Sequence, residues 1–459
     1  MLKTITPIDN SILVERNYAN DDEIETVLEN AKEARNIWKE TSLKERKEIV
    51  GNFVRSFLSN DKEIVENLCK QIGRPISQCP GEMRGFEERA NYMIENADRA
   101  LEDIISKKDK EFDNYVKKEP LGTIFVIAPW NYPFNTSVNS IVPSLLSGNT
   151  VILKHSSQTP LCAEQLFDAA NKASLPKNIF QFLHLDHSST SRVISDSRIN
   201  HVLFTGSVSG GKEVKKSIGT RFIGAGLELG GKDPAYVRSD CNLDHAIENL
   251  VDGSYFNSGQ SCCGIERIYV DESIFDNFVE AFKTQTEKYI LDNPLDKLTN
   301  LGPVVKLSAA NNIRNQVLKT INEGAKNIID GSKFKKDSLE NCYVSPSALI
   351  NVSHDMEFMM EETFGPTVGI MKVKNEKDAE ILMNDSAYGL TASVWTSDKE
   401  FASNFGNKIQ TGTFFMNRCD YLDPGLAWTG VKDTGMGITL SVLGFDHLTR
   451  AKSYHLRKV

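Results

Sequence analysis

The spacing of apolar residues predicts that the first hundred positions are mostly helical. Apolar side chains recur there every three or four residues, as they do on one face of an α-helix. Asp21 and Asp22 are expected to cap the first helix, and Gly73-Arg74-Pro75 is a strong stop signal for the third. The pattern places these helices at about residues 21–38, 49–58, 64–72 and 82–105.

Beyond residue 113 helical spacing gives way to short, continuous apolar runs. Runs of this kind are typical of strands buried on both faces of a sheet, and helix-compatible segments separate them. Strands that alternate with helices predict right-handed βαβ units and a parallel sheet. The runs lie at residues 123–128, 151–153, 179–182 and 201–204.

The residues that follow these strands are candidates for ligand binding. Ligands of open parallel sheets bind beyond the carboxyl ends of the strands. In this chain those positions hold Trp130 and Asn131, then Lys154, then Thr205-Gly206-Ser207. The last of these segments is expected to open a helix, whose free N–H groups can receive a pyrophosphate.

Composition narrows the class of protein. A chain of 459 residues is too long for one ordinary core and predicts two or three domains. Its 40% hydrophobic and 25% charged residues are typical of a soluble globular protein. A net charge of −9 argues against a nucleic-acid partner. No apolar signal region or membrane-spanning run is present, so we expect a cytoplasmic protein with no membrane partner.

The eight cysteines show no disulfide or metal-binding pattern. They are scattered along the chain, which is typical of reduced thiols. No Cys/His cluster has the spacing of a zinc site, so no metal is expected.

Four motifs, in a fixed order, resemble those of the aldehyde dehydrogenase superfamily. The resemblance covers nearly the whole chain and points to the NAD(P)-dependent, hydrolytic, non-acylating branch. The motifs are Pro129-Trp130-Asn131-Tyr132-Pro133, Leu227-Glu228-Leu229-Gly230-Gly231-Lys232, Gly259-Gln260-Ser261-Cys262 and Glu361-Glu362-Thr363-Phe364-Gly365-Pro366.

The resemblance implies an α/β architecture with three parts. A parallel-sheet dinucleotide-binding domain would comprise residues 1–108 and 121–230, and an α/β catalytic domain residues 231–432. A small β extension, residues 109–120 and 433–459, would serve oligomerisation, with the strand near Tyr115 and the tail Tyr454–Arg457 pairing across subunits. We therefore expect a homodimer or a homotetramer.

The same resemblance assigns the chemistry to three side chains. Cys262 would attack the carbonyl of a small or medium aldehyde, giving a thiohemiacetal and then a thioester. Asn131 and the backbone N–H of Cys262 would stabilise the oxyanion. Glu228, 34 residues before Cys262, would activate the water that releases the carboxylic acid, and its apolar neighbours should raise its pKa. Cys263 is expected to be a packing neighbour. Taken alone, the stretch around Cys262 is more typical of core cysteines.

The cofactor contacts are also implied by the resemblance, and both NAD and NADP are admitted. Lys154 would hold the adenosine-ribose hydroxyls, Ser207 the pyrophosphate, Glu362 the nicotinamide-ribose hydroxyls and Phe364 the nicotinamide face. Further contacts would come from Trp130, Gly206 and Leu229.

Two departures from the family pattern affect the choice between NAD and NADP. Ser157 stands where many NAD-specific members have a glutamate, and a hydroxyl does not repel a 2′-phosphate. His184-Leu185-Asp186-His187 replaces a glycine-rich turn, and Asp186 there would disfavour the extra phosphate. The two departures act in opposite directions.

A pocket for the aldehyde should combine aromatic walls with polar floor positions. None of its aligned positions holds an arginine that could bind a semialdehyde carboxylate, and Arg418 at the entrance is the nearest candidate. The expected lining residues are Tyr132, Thr136, Asn139, Tyr255, Phe256, Ser261, the loop from Arg418 to Leu422, and Trp428.

Parts of the sequence also resemble the motifs of other functions. Residues 206–213 nearly match the phosphate-binding loop of nucleotide hydrolases, which would make the chain a P-loop protein, but Glu213 replaces the required hydroxyl. Residues 224–230 likewise miss the dinucleotide fingerprint. A catalytically inactive, aldehyde dehydrogenase-like binding protein is a further alternative, disfavoured because all three catalytic residues are present.

Overall fold

The computed structural model describes all 459 residues. The helices are α1 Asp21–Trp38, α2 Leu43–Leu58, α3 Asp61–Ile72, α4 Pro80–Ala100, α5 Pro133–Leu146, α6 Pro160–Lys172, α7 His187–Ser195, α8 Val208–Ile218, α9 Leu243–Tyr255, α10 Phe275–Thr286, α11 Leu307–Asn322, α12 Glu357–Met360, α13 Glu376–Asn384 and α14 Lys399–Gly406. The strands are β1 Leu2–Ile5, β2 Ile12–Arg16, β3 Ile104–Lys108, β4 Phe112–Pro120, β5 Thr123–Ala128, β6 Thr150–His155, β7 Phe180–Phe182, β8 Ile199–Thr205, β9 Gly224–Glu228, β10 Asp233–Val237, β11 Ile265–Asp271, β12 Lys326–Asn327, β13 Ser347–Ile350, β14 Thr367–Val373, β15 Thr391–Trp395, β16 Thr413–Met416, β17 Gly435–Met436 and β18 Thr449–Arg457.

The four amino-terminal helices are present, with two corrections to the predicted ends. Helix α1 is capped by Asn20, one residue before the predicted cap, in a capping box with Glu23. Helix α3 ends as predicted at Gly73, whose φ of 78° is the left-handed cap that glycine favours. The predicted helix to residue 105 was wrong, because α4 ends at Ala100 and Ile104 and Ile105 lie in β3. Pairing with β4 outweighs the helical spacing there.

The first sheet carries the predicted nucleotide-binding topology. Its strand order is β17-β9-β8-β5-β6-β7, and every pair is parallel except β17 with β9. The four predicted strands are β5, β6, β7 and β8. Helices α2, α4, α5 and α6 bury their apolar faces in one core with this sheet, while α1, α7 and α8 pack in a second core. The carboxyl ends of β5, β8 and β9 therefore open at one edge.

A second, seven-stranded sheet follows in the order β12-β13-β14-β11-β10-β15-β16. It is parallel apart from the short β12. The segment before β11 carries the candidate nucleophile, so the start of this strand faces the first sheet's ligand edge across a cleft.

A three-stranded antiparallel sheet, β18-β4-β3, forms the β extension. Tyr115 pairs with Tyr454 and their rings stack with centroids 4.7 Å apart. The two segments that were predicted to pair across subunits thus pair with each other within the chain. Residues between β17 and β18 return to the first core, where Leu440, Phe445 and Leu448 are buried.

No helix of the chain is both long enough and apolar enough to cross a lipid bilayer.

Candidate active site

One cleft of about 780 Å³ gathers most of the predicted site residues. Its walls come from α4, α5, the carboxyl ends of β5, β8 and β9, the segment before β11, and the loop around Asp420. The predicted residues that line it are Trp130, Asn131, Tyr132, Thr136, Asn139, Gly206, Ser207, Glu228, Leu229, Phe256, Ser261, Cys262, Glu362, Phe364, Leu422 and Trp428.

The turn before Cys262 has a strained backbone. Asn257, Ser258 and Gly259 all have positive φ, of 51°, 57° and 69°. A Cβ on Gly259 would lie 2.0 Å from the carbonyl oxygen of Gly365, so only glycine fits at this contact. Consecutive left-handed residues are costly, and they cluster at functional sites where the surrounding structure fixes them.

The two adjacent cysteines lie in different environments. Cys262 is partly exposed and lines the cleft. Cys263 is buried and its Sγ donates to Oδ1 of Asp420 at 3.0 Å. A hydrogen bond with Cys262, together with burial, raises the pKa of the Cys263 thiol well above its usual range. Because the thiolate is the nucleophile, Cys262 is the better placed of the two.

The side chain of Asn131 is held in place with one donor free. Its Nδ2 donates to the carbonyl oxygen of Gln260 at 3.2 Å. The backbone carbonyl oxygen of Asn131 accepts from Nη2 of Arg74 and from Nδ2 of Asn257, which fixes the main chain at this residue. The residue is 6% exposed, and its second amide N–H has no partner, which suits it to a developing oxyanion.

A buried ion pair that the sequence did not reveal fixes this loop. Arg74 is 1% exposed and donates through Nη1 to Glu82 at 2.6 Å and through Nε to Asn257 at 3.0 Å. The other oxygen of Glu82 accepts the N–H groups of Phe134 and Asn135, both at 2.9 Å, at the start of α5. In the sequence, Arg74 lies within Gly73-Arg74-Pro75, which predicts only the end of a helix. That pattern gave no indication that Arg74 forms a buried ion pair.

Glu228 ends β9 with its carboxylate partly buried in the cleft. Burial raises its pKa, whereas hydrogen bonds from Thr439 and Thr205 and the charge of Arg89 oppose that rise. Thr205 donates to Oε2 at 3.3 Å and Thr439 to Oε1. The raised pKa agrees in direction with the expectation from its apolar neighbours. Thr439 lies far along the chain and gave no signal in the sequence.

The other end of the cleft contains a helix N-terminus, a carboxylate and an aromatic pair. Ser207 caps α8, accepting from the N–H of Gly210 at 3.2 Å, so the N–H groups of the first turn point outward. Oε1 of Glu362 accepts from the N–H of Gly231 at 2.9 Å, and burial raises the pKa of Glu362 to about 8. Phe364 stands edge-on to Trp130, with ring centroids 5.6 Å apart.

Lys154 and Ser157 lie outside the residues that line this cleft. Lys154 lies in the carboxyl-terminal part of β6, and burial lowers the pKa of its ammonium. Its ammonium has no hydrogen bond or ion pair within the chain. Ser157 is exposed, and its carbonyl accepts from Thr4 at 2.8 Å. Asp186 caps α7 by accepting from Ser189 at 2.7 Å, so its carboxylate is engaged within the chain.

The substrate side of the cleft corrects two expectations. Tyr255 is fully buried in the second core and its hydroxyl donates to Ser347, because the end of α9 turns it away from the cleft. Arg418 does not line the cleft and lies over the ring of Tyr421. Three arginines from outside the aligned pocket positions do line the cleft, and the sequence did not indicate them: Arg74, Arg84 and Arg89.

The P-loop hypothesis fails on local structure. Helix α8 begins at Val208, so residues 208–213 are helical and form no loop around a phosphate. Lys212 extends toward Asp433, at 3.7 Å. Residues 224–228 are strand β9 and form no glycine-rich turn.

Comparison with known proteins identifies the family. The model of the aldehyde dehydrogenase family matches residues 1–454. Succinate semialdehyde dehydrogenase [NAD(P)+] Sad of Escherichia coli is 30% identical over 441 residues, covering 96% of this chain and 95% of that protein. The NADP+ complex of succinic semialdehyde dehydrogenase from Streptococcus pyogenes superposes with a TM-score of 0.95 at 27% identity, covering 100% of both chains. The NAD+ complex of betaine aldehyde dehydrogenase from Staphylococcus aureus gives 0.93 at 26% identity, covering 99% and 90%.

The chain belongs to the aldehyde dehydrogenase family. It is an NAD(P)-dependent oxidoreductase that acts on aldehydes, and the predicted α/β fold is confirmed.

Proposed function

We propose that this enzyme oxidises a small or medium aldehyde to the free carboxylic acid through Cys262, Asn131 and Glu228. The observation that carries the proposal is their convergence on one cleft, where an accessible thiol, a fixed amide donor and a partly buried carboxylate meet. Each group has the environment its role needs, since Asn131 is held by Arg74 and Asn257 and burial raises the pKa of Glu228.

The first half-reaction forms an acyl-enzyme. The thiolate of Cys262 adds to the carbonyl carbon, a C–S bond forms and the carbonyl electron pair moves to oxygen. The free N–H of Asn131 and the backbone N–H of Cys262 stabilise this oxyanion. When bound, NAD(P)+ supplies the acceptor for the hydride that leaves the same carbon. A thioester remains on Cys262.

The second half-reaction is hydrolysis. Glu228 takes a proton from water, whose oxygen adds to the thioester carbon. The C–S bond then breaks, the carboxylic acid leaves and the Cys262 thiolate is restored. A carboxylate with a raised pKa is a stronger base than an ordinary glutamate, which suits this step at neutral pH.

The side chains and backbone groups at the far end of the cleft fit NAD or NADP. The cap of α8 at Ser207 suits the pyrophosphate, Glu362 the nicotinamide-ribose hydroxyls, and Phe364 the nicotinamide face. The unpaired ammonium of Lys154 suits the adenosine-ribose hydroxyls. Gly206, Leu229 and Trp130 line the same stretch. We propose use of both cofactors, because Ser157 carries no charge against a 2′-phosphate.

The proposed assembly is a homodimer or homotetramer. The three-stranded sheet leaves the outer edges of β3 and β18 without a partner strand, and such edges accept strands of other chains. Ile104 and Ile105 on β3 are 58% and 57% exposed. Light scattering at micromolar concentration tests this, and a monomeric mass would contradict it. We also propose that the dinucleotide-binding domain comprises residues 1–108 and 121–230, the catalytic domain residues 231–432, and the β extension residues 109–120 and 433–459.

The test of the mechanism separates its two halves. Glu228→Gln keeps the shape and removes the base, so the first turnover should still release reduced cofactor as a burst, followed by a slow steady state. Intact-mass spectrometry should then find the acyl group on Cys262. If Glu228 also helps to deprotonate Cys262, the burst slows too, and higher pH restores the burst while hydrolysis stays slow.

Asn131→Ala serves as the contrast. It should slow the burst itself, because the oxyanion forms before hydride transfer. If Glu228→Gln gives neither a burst nor a trapped acyl-enzyme at any pH, Glu228 is not the deacylation base.

A further inference from the structure

Arg89 is a buried guanidinium in the cleft without a carboxylate partner. It lies on α4, it is 9% exposed, and it lines the cleft. Its one hydrogen bond within the chain runs from Nη1 to the carbonyl oxygen of Asn135, at 2.8 Å. A guanidinium carries five N–H donors and keeps its charge at any physiological pH, so most of its donors are unused. A buried charge in this state is costly unless a ligand pairs with it.

The neighbouring helix α5 presents an unpaired amide to the same cleft. Asn139 is 3% exposed, and neither its Nδ2 nor its Oδ1 has a hydrogen-bond partner. The Oδ1 of Asn135 is also without a hydrogen-bond partner. It packs against Gly85, where a Cβ would lie only 2.7 Å from this oxygen. Buried polar atoms are normally hydrogen-bonded, so these unpaired amide atoms beside the cleft are available to a ligand.

The other charged groups that are buried or partly buried in the cleft already have hydrogen-bond partners within the chain. Arg74 and Glu82 pair with each other. Glu228 accepts from Thr205 and Thr439. Asp420 accepts from Ser261 at 2.7 Å and from Cys263, and burial raises its pKa.

Charged groups at the rim are solvated. Arg84, Glu88, Asp252 and Lys306 line the cleft but are exposed. Of the three charged side chains that are buried in the cleft, Arg74 and Glu82 pair with each other and Arg89 forms no ion pair.

We propose that Arg89, together with the amide of Asn139, binds a carboxylate on the substrate, so that the enzyme selects short aldehydes with a carboxylate at the far end. This inference rests on the proposed function, since the aldehyde itself must reach Cys262. A guanidinium matches the two oxygens of a carboxylate, and Nδ2 of Asn139 adds a donor from the adjacent helix. The positive charge of Arg89 also attracts the carboxylate of Glu228 through space, without a direct ion pair between them.

The test compares an anionic aldehyde with a neutral one of similar length. We expect kcat/KM for 4-oxobutanoate to exceed that for pentanal in the wild-type enzyme, and the ratio of the two to fall at least about 30-fold in Arg89→Met. The loss should lie mainly in KM, because the anchor acts far from the reacting carbon. Arg89→Lys should recover part of the ratio. Asn139→Leu should lower it by a smaller factor, and it tests the pocket independently if Arg89→Met does not fold.

The matched control is Arg99→Met, an exposed arginine on the same helix and outside the cleft, which should leave the ratio unchanged. Equal losses on both aldehydes in Arg89→Met, or no wild-type preference for 4-oxobutanoate, would overturn the inference. Preference for 3-oxopropane-1-sulfonate over 4-oxobutanoate would overturn the carboxylate assignment. Absence of activity on every aldehyde would contradict the proposed function instead.

Discussion

The hydroxyl of Thr439 donates a hydrogen bond to Oε1 of Glu228, across 211 positions of sequence. Thr205 donates to the other oxygen. Both bonds favour the charged carboxylate, whereas burial disfavours it, and the net effect is a raised pKa. The proton affinity of the proposed base is thus set by two hydroxyl groups working against its apolar surroundings.

Replacing Thr439 should change the pH dependence of turnover. Thr439→Val removes a bond that lowers the pKa of Glu228, so that pKa should rise further. Hydrolysis needs the ionised carboxylate, which becomes scarce at low pH, so the acidic limb of the steady-state rate should move to higher pH by about one unit. Initial rates between pH 5 and 9 measure the shift. Thr429→Val, which loses only a bond to the carbonyl of Gly437, is the control, and equal profiles in both variants would refute the role of Thr439.

The two cysteines should differ sharply under mutation. Cys262→Ala should abolish dehydrogenase turnover while cofactor binding persists, because the nucleophile is lost and the far end of the cleft is untouched. Cys263→Ala should retain most activity, since that thiol is buried and bonded to Asp420. Reduced-cofactor absorbance and cofactor titration provide the two readouts. An exchange of the two phenotypes would shift the nucleophile by one residue.

Cofactor preference should respond to Ser157. The exposed hydroxyl neither chelates the adenosine ribose nor repels a 2′-phosphate, and Lys154 nearby is unpaired. Ser157→Glu adds a carboxylate that can accept from the 2′- and 3′-hydroxyls and that repels NADP. The ratio of kcat/KM for NAD to that for NADP should rise at least about tenfold, about 1.4 kcal/mol. An unchanged ratio would disprove this explanation of dual cofactor use.

Stability should depend on the buried pair formed by Arg74 and Glu82. Arg74→Met leaves the carboxylate of Glu82 buried without its charge partner, which typically costs about 3–5 kcal/mol. Differential scanning calorimetry should therefore record a clearly lower unfolding temperature. Lys70→Ala, which breaks an exposed pair with Glu66, should cost less than about 1 kcal/mol. An unfolding temperature equal to that of Lys70→Ala would contradict the prediction. Arg74→Met should also slow the burst, because the backbone carbonyl of Asn131 loses a hydrogen-bond donor.

The spacing of apolar residues was enough to predict the strands of the first sheet, but it did not predict every element boundary or the side chains that line the substrate end of the cleft. Continuous apolar runs located β5, β6, β7 and β8. Residues at the carboxyl ends of β5 and β8 then proved to line the cleft. The helix predicted to residue 105 failed because the pairing of β3 with β4 is a non-local interaction that spacing does not record.

Arg89 was missed for a different reason. On an amphipathic helix a polar residue that faces a cleft has the same spacing as one that faces water, and only the packing of α4 beside α5 distinguishes them. Thr439 and Tyr255 illustrate the same limit. The first gains its role from a partner 211 residues away, and the second loses its expected role because α9 turns it into the core.

The contact between Gly259 and Gly365 makes two loops a single mechanical unit. The turn before the thiol and the loop that carries Glu362 and Phe364 touch through a space too small for one methyl group. A loop grafted from a relative has to keep this close approach, since a displacement on the cofactor side would press directly on the turn before the thiol. Engineering of this enzyme must therefore transplant the two loops together, so that cofactor preference and aldehyde preference are altered as a linked pair of traits.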